Sequence, residues 1–123
     1  ELLGFHSGKS LDKLYQKADF LFMPSQWYET FGMTILESFS YGKPVAISNI
    51  GGMPEVLKDE SNGFLFEPSN QASLENAIER IIGLSQEAYK QMSLSCIERV
   101  KQFSIEKYYS EIIDVYKGLV ISK

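Results

Sequence analysis

The chain has 123 residues, which suits one domain of ordinary size, and 44% of them are hydrophobic, which is enough to bury a core. Its formal net charge of −4, with no block of basic residues, argues against a nucleic-acid partner. No apolar run approaches the roughly 20 residues that span a bilayer, and no segment of the sequence resembles a signal peptide.

The first predicted elements are the end of a strand, a helix and a buried strand. Residues 1–4 read as a strand already under way, and Glu1 is not an initiator methionine, so we interpret the chain as part of a longer protein. A helix follows, with Ser10 as its expected N-cap. Its apolar residues recur at helical spacing: Leu11, Leu14, Tyr15 and Ala18. The apolar run 20–23 predicts a strand buried on both faces of a parallel sheet.

The middle of the chain continues this alternation. Gly32 begins a helix that runs through Phe39 and ends at Gly42. A second buried strand, a short helix with Pro54 at its first turn, and a third strand are predicted at residues 44–48, 55–58 and 64–66. Alternating strands and helices are typical of βαβ units and a parallel sheet. Because three short strands make a thin sheet, we expect further strands upstream.

The C-terminal half is predicted to be helical, with Ser104 as the cap of the last helix. Its apolar residues form three stripes at helical spacing: Leu74, Ala77, Ile78, Ile81 and Ile82; Tyr89, Met92, Cys96, Val100 and Phe103; and Ile105, Tyr109, Ile112, Tyr116 and Leu119. Cys96, the only cysteine, is expected in the core. An unpaired cysteine also favours a reducing compartment.

The loop after the first buried strand has the pattern of a ligand site. Ligands of parallel α/β sheets bind at the carboxyl ends of the strands, here the loops after Met23, Ile47 and Leu3. The helix that Gly32 begins offers free N–H groups and a favourable dipole to an anion. Glu29 and Glu37 flank this point, and carboxylates accept hydrogen bonds from sugar hydroxyls. Phosphate, ribose and sugar are the three parts of a nucleotide-sugar donor.

Glu29 and Glu37 form an E-x7-E motif with Phe31-Gly32 between them. The series continues through YGKPV at 41–45, GGMPE at 51–55 and NGFLF at 62–66. This series resembles the C-terminal domain of the "glycosyltransferases group 1" family, retaining GT-B enzymes of glycosyltransferase family four. The resemblance covers nearly the whole chain. It implies an α/β fold, a Rossmann-like doubly wound parallel sheet forming part of a GT-B C-terminal domain, with residues 1–123 as one nucleotide-sugar-binding domain.

The resemblance also implies residue roles. Glu29 matches the first motif glutamate, which contacts hydroxyls of the transferred sugar and is the expected catalytic residue. Glu37 matches the second, which binds the ribose hydroxyls. Two further segments are implied, a helix start whose backbone amides hold the diphosphate and a loop that touches the nucleobase largely through its backbone. Their residues are Gly32, Met33 and Thr34 for the diphosphate, and Phe5, His6 and Ser7 for the base.

The implied function is that of a hexosyltransferase in polysaccharide or glycoconjugate biosynthesis, with this chain as the part that binds the nucleotide diphosphate sugar. Neither a cofactor nor a metal is expected. The expected partner is the N-terminal acceptor domain of the same enzyme. That domain and an upstream Arg/Lys pair that neutralises the diphosphate are not in this sequence, so we expect the chain alone to be inactive and to self-associate. We expect a cytoplasmic location; attachment of the parent enzyme to the inner face of the membrane stays open, though not through this segment.

Two other interpretations stay open. The chain could be a non-catalytic module that binds a nucleotide sugar, or another phosphate-binding doubly wound domain, which would not require Glu37. His6, the only histidine, has no nucleophile or metal-ligand cluster in the sequence to work with, which favours a surface or base-loop role. Trp27 and Tyr28 fit either ligand stacking or packing, and Gly51-Gly52 is interpreted as mainly structural.

Overall fold

The computed structural model describes residues 1–58 and 60–121, except for the side chains of residues 120 and 121. Its elements follow the predicted alternation. In chain order they are α1 Lys9–Lys17, β1 Leu21–Met23, α2 Met33–Ser40, β2 Val45–Ser48, α3 Met53–Val56, β3 Gly63–Phe66, α4 Gln71–Ile82, α5 Gln86–Val100 and α6 Ile105–Ile121. A single 3-10 turn, Lys101–Phe103, connects α5 to α6.

The three strands form one parallel sheet in the order β1-β2-β3. In the central strand, Val45 is paired with Leu21 of β1 and with Gly63 of β3. The first residue of β3 is a glycine, Gly63, and a side chain would not fit there because its Cβ would overlap the carbonyl oxygen of Val45. Since all three strands run in the same direction, the loops that follow them lie at one end of the sheet, which is where parallel sheets bind ligands.

Helices cover both faces of this sheet. One face of β2 packs on α2, α3 and α5 in a core made of Ile35, Leu36, Phe39, Val45, Ile47, Met53, Val56, Leu57 and Cys96. The other face packs mainly on α4, in a core made of Ala46, Phe64, Phe66, Ala77, Ile81 and Met92. All four residues of β2 are buried. The predicted α/β class, a doubly wound parallel sheet, is therefore confirmed.

Three local predictions at the start of elements are wrong. Gly8, not Ser10, is the N-cap residue of α1, and the Ser10 hydroxyl instead donates to the carbonyl oxygen of Ser7 at 2.9 Å. The described residues 1–4 form no strand, because no neighbouring strand pairs with their backbone groups and Leu2 is fully exposed. The loop after Leu3 therefore does not follow a strand. The short helix is Met53–Val56 and not 55–58, although Pro54 lies within its first turn as predicted.

The three C-terminal helices begin at side-chain caps. The side-chain oxygens of Asn70, Ser85 and Ser104 accept hydrogen bonds from the backbone N–H groups three residues later, at 3.0, 3.2 and 3.3 Å. Such caps satisfy N–H groups that have no partner within the helix. The predicted cap at Ser104 is confirmed.

The predicted apolar stripes are buried to different degrees. Cys96 is fully buried as predicted, and this burial raises the pKa of its thiol to about 12, so the thiol stays protonated at neutral pH. Ile82, by contrast, belongs to the predicted apolar stripe of α4, yet it is 71% exposed. On α6, Tyr109, Tyr116 and Leu119 are all more than 60% exposed. The apolar face of α6 therefore lies largely uncovered. None of the helices within the described ranges combines the length with the hydrophobicity that a membrane span requires.

We expect the isolated chain to self-associate through this face of α6, because exposed apolar patches drive association. Sedimentation velocity across a concentration series should show a weight-average coefficient that rises with concentration. Leu119→Glu should reduce this rise. Ser110→Glu adds the same charge at an exposed polar position of α6 and should leave the rise intact. A chain that stays monomeric throughout the series would contradict the prediction.

Candidate functional site

The start of α2 lies just beyond the carboxyl end of β1. Gly32 is the N-cap residue and adopts a left-handed conformation, with φ of 78°. A Cβ there would lie 2.8 Å from Cδ1 of Ile35, so both conformation and space favour glycine. Within the described part of the chain, no side chain caps this helix, and the N–H groups of Met33 and Thr34 donate to no acceptor. The helix start is therefore open to an anion.

The loop after β2 supports the loop after β1 by direct backbone contact. The N–H of Gly52 donates to the carbonyl oxygen of Glu29 at 2.8 Å. A Cβ at Gly51 would overlap that same oxygen, and a Cβ at Gly52 would overlap the carbonyl oxygen of Thr30. Only residues without a side chain allow this approach. The structural role predicted for Gly51-Gly52 thus takes a definite form, which is to hold the backbone of Glu29 in place.

Glu29 is half-buried in the loop between β1 and α2. One oxygen of its carboxylate lies 3.5 Å from the Ser25 hydroxyl, at the outer limit for a hydrogen bond. Its neighbours Trp27 and Tyr28 are 81% and 85% exposed, so neither ring is part of the domain core. The loop therefore presents one half-buried carboxylate and two uncovered aromatic rings just before the start of α2.

Glu37 lies on an exposed side of α2, where a residue from α1 contacts it. The Tyr15 hydroxyl donates to Oε2 of Glu37 at 3.1 Å, and the Tyr15 ring stacks on Tyr41 with 5.0 Å between centroids. The Tyr41 hydroxyl in turn donates to Oδ1 of Asp12 at 2.6 Å. Burial of Tyr15, together with its hydrogen bond to Glu37, raises the pKa of this tyrosine to about 12. The Tyr15 hydroxyl is therefore protonated, and a donor, at neutral pH.

Phe5, His6 and Ser7 lie immediately before α1, away from these contacts. Phe5 is almost fully exposed, and Nε2 of His6 lies 3.0 Å from the carbonyl oxygen of Leu3. Across residues 1–58 and 60–121, no hydrogen bond or ring contact joins these three residues to Glu29, Glu37 or the start of α2. The same described ranges contain no group of three or more His, Cys, Asp or Glu residues that could hold a metal ion.

The structure adds one residue that sequence reasoning missed. Tyr15 was assigned to the apolar stripe of α1, and it is indeed buried. Its hydroxyl, however, reaches the second glutamate of the motif, 22 residues further along the chain. The available signal was a tyrosine at an inward helical position, because a buried tyrosine hydroxyl usually finds a hydrogen-bond partner.

Comparisons with known proteins agree on one family. The family model described as "Glycosyl transferases group 1" matches residues 1–102. An uncharacterized glycosyltransferase of Methanocaldococcus jannaschii is 34% identical over 117 residues, which are 94% of this chain and 29% of that protein.

Solved structures show the same similarity. The structure of a glycosyltransferase from Rickettsia africae matches with a TM-score of 0.81 and 27% sequence identity. The match covers 94% of this chain and 31% of the Rickettsia chain. The structure of the Anabaena protein HepE in complex with UDP and glucose matches with a TM-score of 0.79 and 26% sequence identity. The match covers 96% of this chain and 32% of the HepE chain. A further HepE structure contains UDP-glucose. The fold is thus part of a GT-B C-terminal domain, and the chain spans about a third of the length of these proteins.

We expect Gly52→Ala to destabilise the fold by about 1–3 kcal/mol, because the new Cβ would overlap backbone atoms of Thr30 rather than a movable side chain. Thermal unfolding followed by circular dichroism measures the change. Gly118→Ala is the matched control: a Cβ at this α6 position meets no atom within 4 Å, and alanine favours helix. Equal unfolding temperatures for Gly52→Ala and the unmodified chain would contradict the proposed contact.

Proposed function

The chain belongs to the glycosyl transferases group 1 family, and from this premise we propose that it forms the donor-binding part of a glycosyltransferase. The proposed reaction transfers a sugar, proposed to be a hexose, from a nucleotide diphosphate sugar to an acceptor with retention of anomeric configuration. The observation that carries the proposal is the uncapped start of α2 at the carboxyl end of β1, with Glu29 before it and Glu37 after it.

The start of α2 is proposed to bind the diphosphate of the donor. The N–H groups of Met33 and Thr34 and the positive end of the helix dipole would receive the phosphate oxygens, and Gly32 leaves room for their approach. Negative charge grows on the diphosphate as its bond to the sugar breaks. Because these donors are fixed by the backbone of α2, they would stabilise this charge without having to reorient.

The two glutamates are proposed to bind the two sugars of the donor. Glu37 would accept hydrogen bonds from the ribose hydroxyls, and Glu29 from hydroxyls of the transferred sugar. Glu29 is the proposed catalytic residue, because positive charge develops on the transferred ring in the transition state and a nearby carboxylate stabilises it. The hydrogen bond from the N–H of Gly52 to the carbonyl oxygen of Glu29 supports this role, since it holds the backbone that carries the carboxylate.

The donor class is supported by HepE, whose structures contain UDP with glucose and UDP-glucose. We propose that Phe5, His6 and Ser7 contact the nucleobase through their backbone. The N-terminal domain of the same enzyme is the proposed partner that supplies the acceptor site. A cytoplasmic location and a role in polysaccharide or glycoconjugate biosynthesis stay predictions.

Nucleotide binding by this chain alone is expected to be weak, with a dissociation constant of about 1 mM, worth about 4 kcal/mol. An NMR titration with UDP, GDP and ADP tests this. The largest amide shifts should occur at Gly32, Met33 and Thr34, and the indole N–H of Trp27, the only tryptophan, should report on the adjoining loop.

The control for this titration is Gly32→Ala, which is expected to abolish the shifts because alanine is strained at this left-handed position and contacts Ile35. Shifts confined to residues other than 5–7, 24–34 and Glu37 would contradict the proposed site. Sub-micromolar binding would show that the chain contains a more complete pocket than we propose.

In the full-length enzyme, replacing Glu37 and replacing Glu29 should change different kinetic constants. Glu37→Ala should raise KM for the donor by about tenfold with little change in kcat, because ribose is bound alike in the ground and transition states. Glu29→Ala should lower kcat by about a hundredfold, because its contacts strengthen as charge develops on the sugar. Steady-state kinetics with varied donor measures both quantities.

Glu79→Ala is the control for both variants. It removes an exposed carboxylate from α4, outside the proposed site, and should leave both constants unchanged. The proposed division of roles would be wrong if Glu29→Ala and Glu37→Ala altered only the KM of the donor.

A further inference from the structure

Two tyrosines and two carboxylates link α1 to α2 beside the proposed donor site. We call Asp12, Tyr15, Glu37 and Tyr41 the tyrosine–carboxylate cluster. Each tyrosine hydroxyl donates to a different carboxylate, Tyr15 to Glu37 at 3.1 Å and Tyr41 to Asp12 at 2.6 Å. The two rings stack with only 6° between their planes. The cluster thus connects the second motif glutamate to a helix that precedes the sheet.

The geometry restricts Tyr15 more than Glu37. The Tyr15 ring is buried and lies against the ring of Tyr41, so its hydroxyl has little freedom to move away. Glu37 lies at an exposed position, where a glutamate would otherwise sample several rotamers. A fixed donor on a buried ring therefore orients a side chain that would otherwise be mobile.

We propose that Tyr15 is a positioning residue, which holds the carboxylate of Glu37 in the orientation that receives the ribose hydroxyls of the donor. This inference rests on the proposed function, in which Glu37 binds ribose. Tyr15 contacts only Oε2, and an ionised carboxylate has about four acceptor positions, so positions are left for a ribose diol. Tyr15 itself does not touch the ligand.

The effect on affinity follows from the ordering of Glu37 before the ligand arrives. Fixing a flexible side chain at binding costs about two- to tenfold in affinity, and a residue that fixes it beforehand removes this cost. The Tyr15 hydroxyl can do so throughout the neutral pH range, because a tyrosine is protonated there even at its ordinary pKa of 10.0, and burial and the bond to Glu37 raise this pKa further, to about 12. The hydrogen bond joins a partly exposed carboxylate, so its contribution to folding is expected to be small.

The test compares two variants of the full-length protein that each remove one hydroxyl from the cluster. Tyr15→Phe keeps the stacked ring but loses the bond to Glu37, and should weaken binding of UDP, GDP or ADP, whichever the unmodified protein binds, by about three- to tenfold. Tyr41→Phe loses the bond to Asp12 instead and should bind within about twofold of the unmodified protein. Isothermal titration calorimetry measures the affinities, and thermal unfolding checks that both variants fold.

Two further measurements separate positioning from a general structural effect. The 2′,3′-dideoxy form of the same nucleotide lacks the hydroxyls that Glu37 would bind, so Tyr15→Phe should bind it as well as the unmodified protein does. In a Glu37→Ala background, Tyr15→Phe should cause no further loss, because nothing is left to orient. If Tyr15→Phe does not fold, Tyr15→Met, which keeps an apolar side chain, is measured in its place.

The outcomes distinguish this inference from the function on which it rests. Unchanged nucleotide affinity in Tyr15→Phe would overturn the positioning role while leaving the proposed function intact. An equal loss for the ribo and dideoxy nucleotides, or an equal loss in the Glu37→Ala background, would do the same. If the unmodified full-length protein bound none of the nucleoside diphosphates, both proposals would be overturned.

Discussion

The site depends on one close contact between two loops, in which Gly51-Gly52 lies against the backbone of Glu29 and Thr30. This contact joins the loops that follow β1 and β2, so the backbone that carries Glu29 is bonded to the loop that leaves the central strand. Met53, which follows the two glycines, is fully buried in the core beneath α2. The position of the first motif glutamate is therefore set by backbone atoms and by the core, not by its own side chain.

Helix α2 belongs both to the core and to the proposed site. Ile35 and Phe39 are fully buried on one side of it, while Glu37 lies on an exposed side. Because the helical repeat is 3.6 residues, a residue two positions from each of these two core residues faces away from them. Packing that fixes α2 against the sheet thus also fixes its uncapped start and the backbone from which the Glu37 side chain extends. A ligand at this helix would meet groups that are already ordered, which is the arrangement that electrostatic stabilisation requires.

The sequence was most informative where a local pattern determines the structure. The apolar runs predicted the three strands, Gly32 predicted the start of α2, and the motif series predicted the fold. Long-range contacts could not be predicted in this way. The bond from Tyr15 to Glu37 requires the packing of α1 beside α2, which no local periodicity specifies. The α6 stripe, likewise, indicates an apolar face but not what covers it.

The described site suits the parts that all nucleotide diphosphate sugars share. In the proposed function, backbone N–H groups at the start of α2 meet the diphosphate and Glu37 meets the ribose, and neither group differs among UDP, GDP and ADP. The segment proposed to meet the base, Phe5 to Ser7, lies directly before α1 and not at the start of α2. The groups proposed to contact the base are therefore separate from those proposed to bind the ribose and the diphosphate, so the same α2 site suits donors that carry different bases.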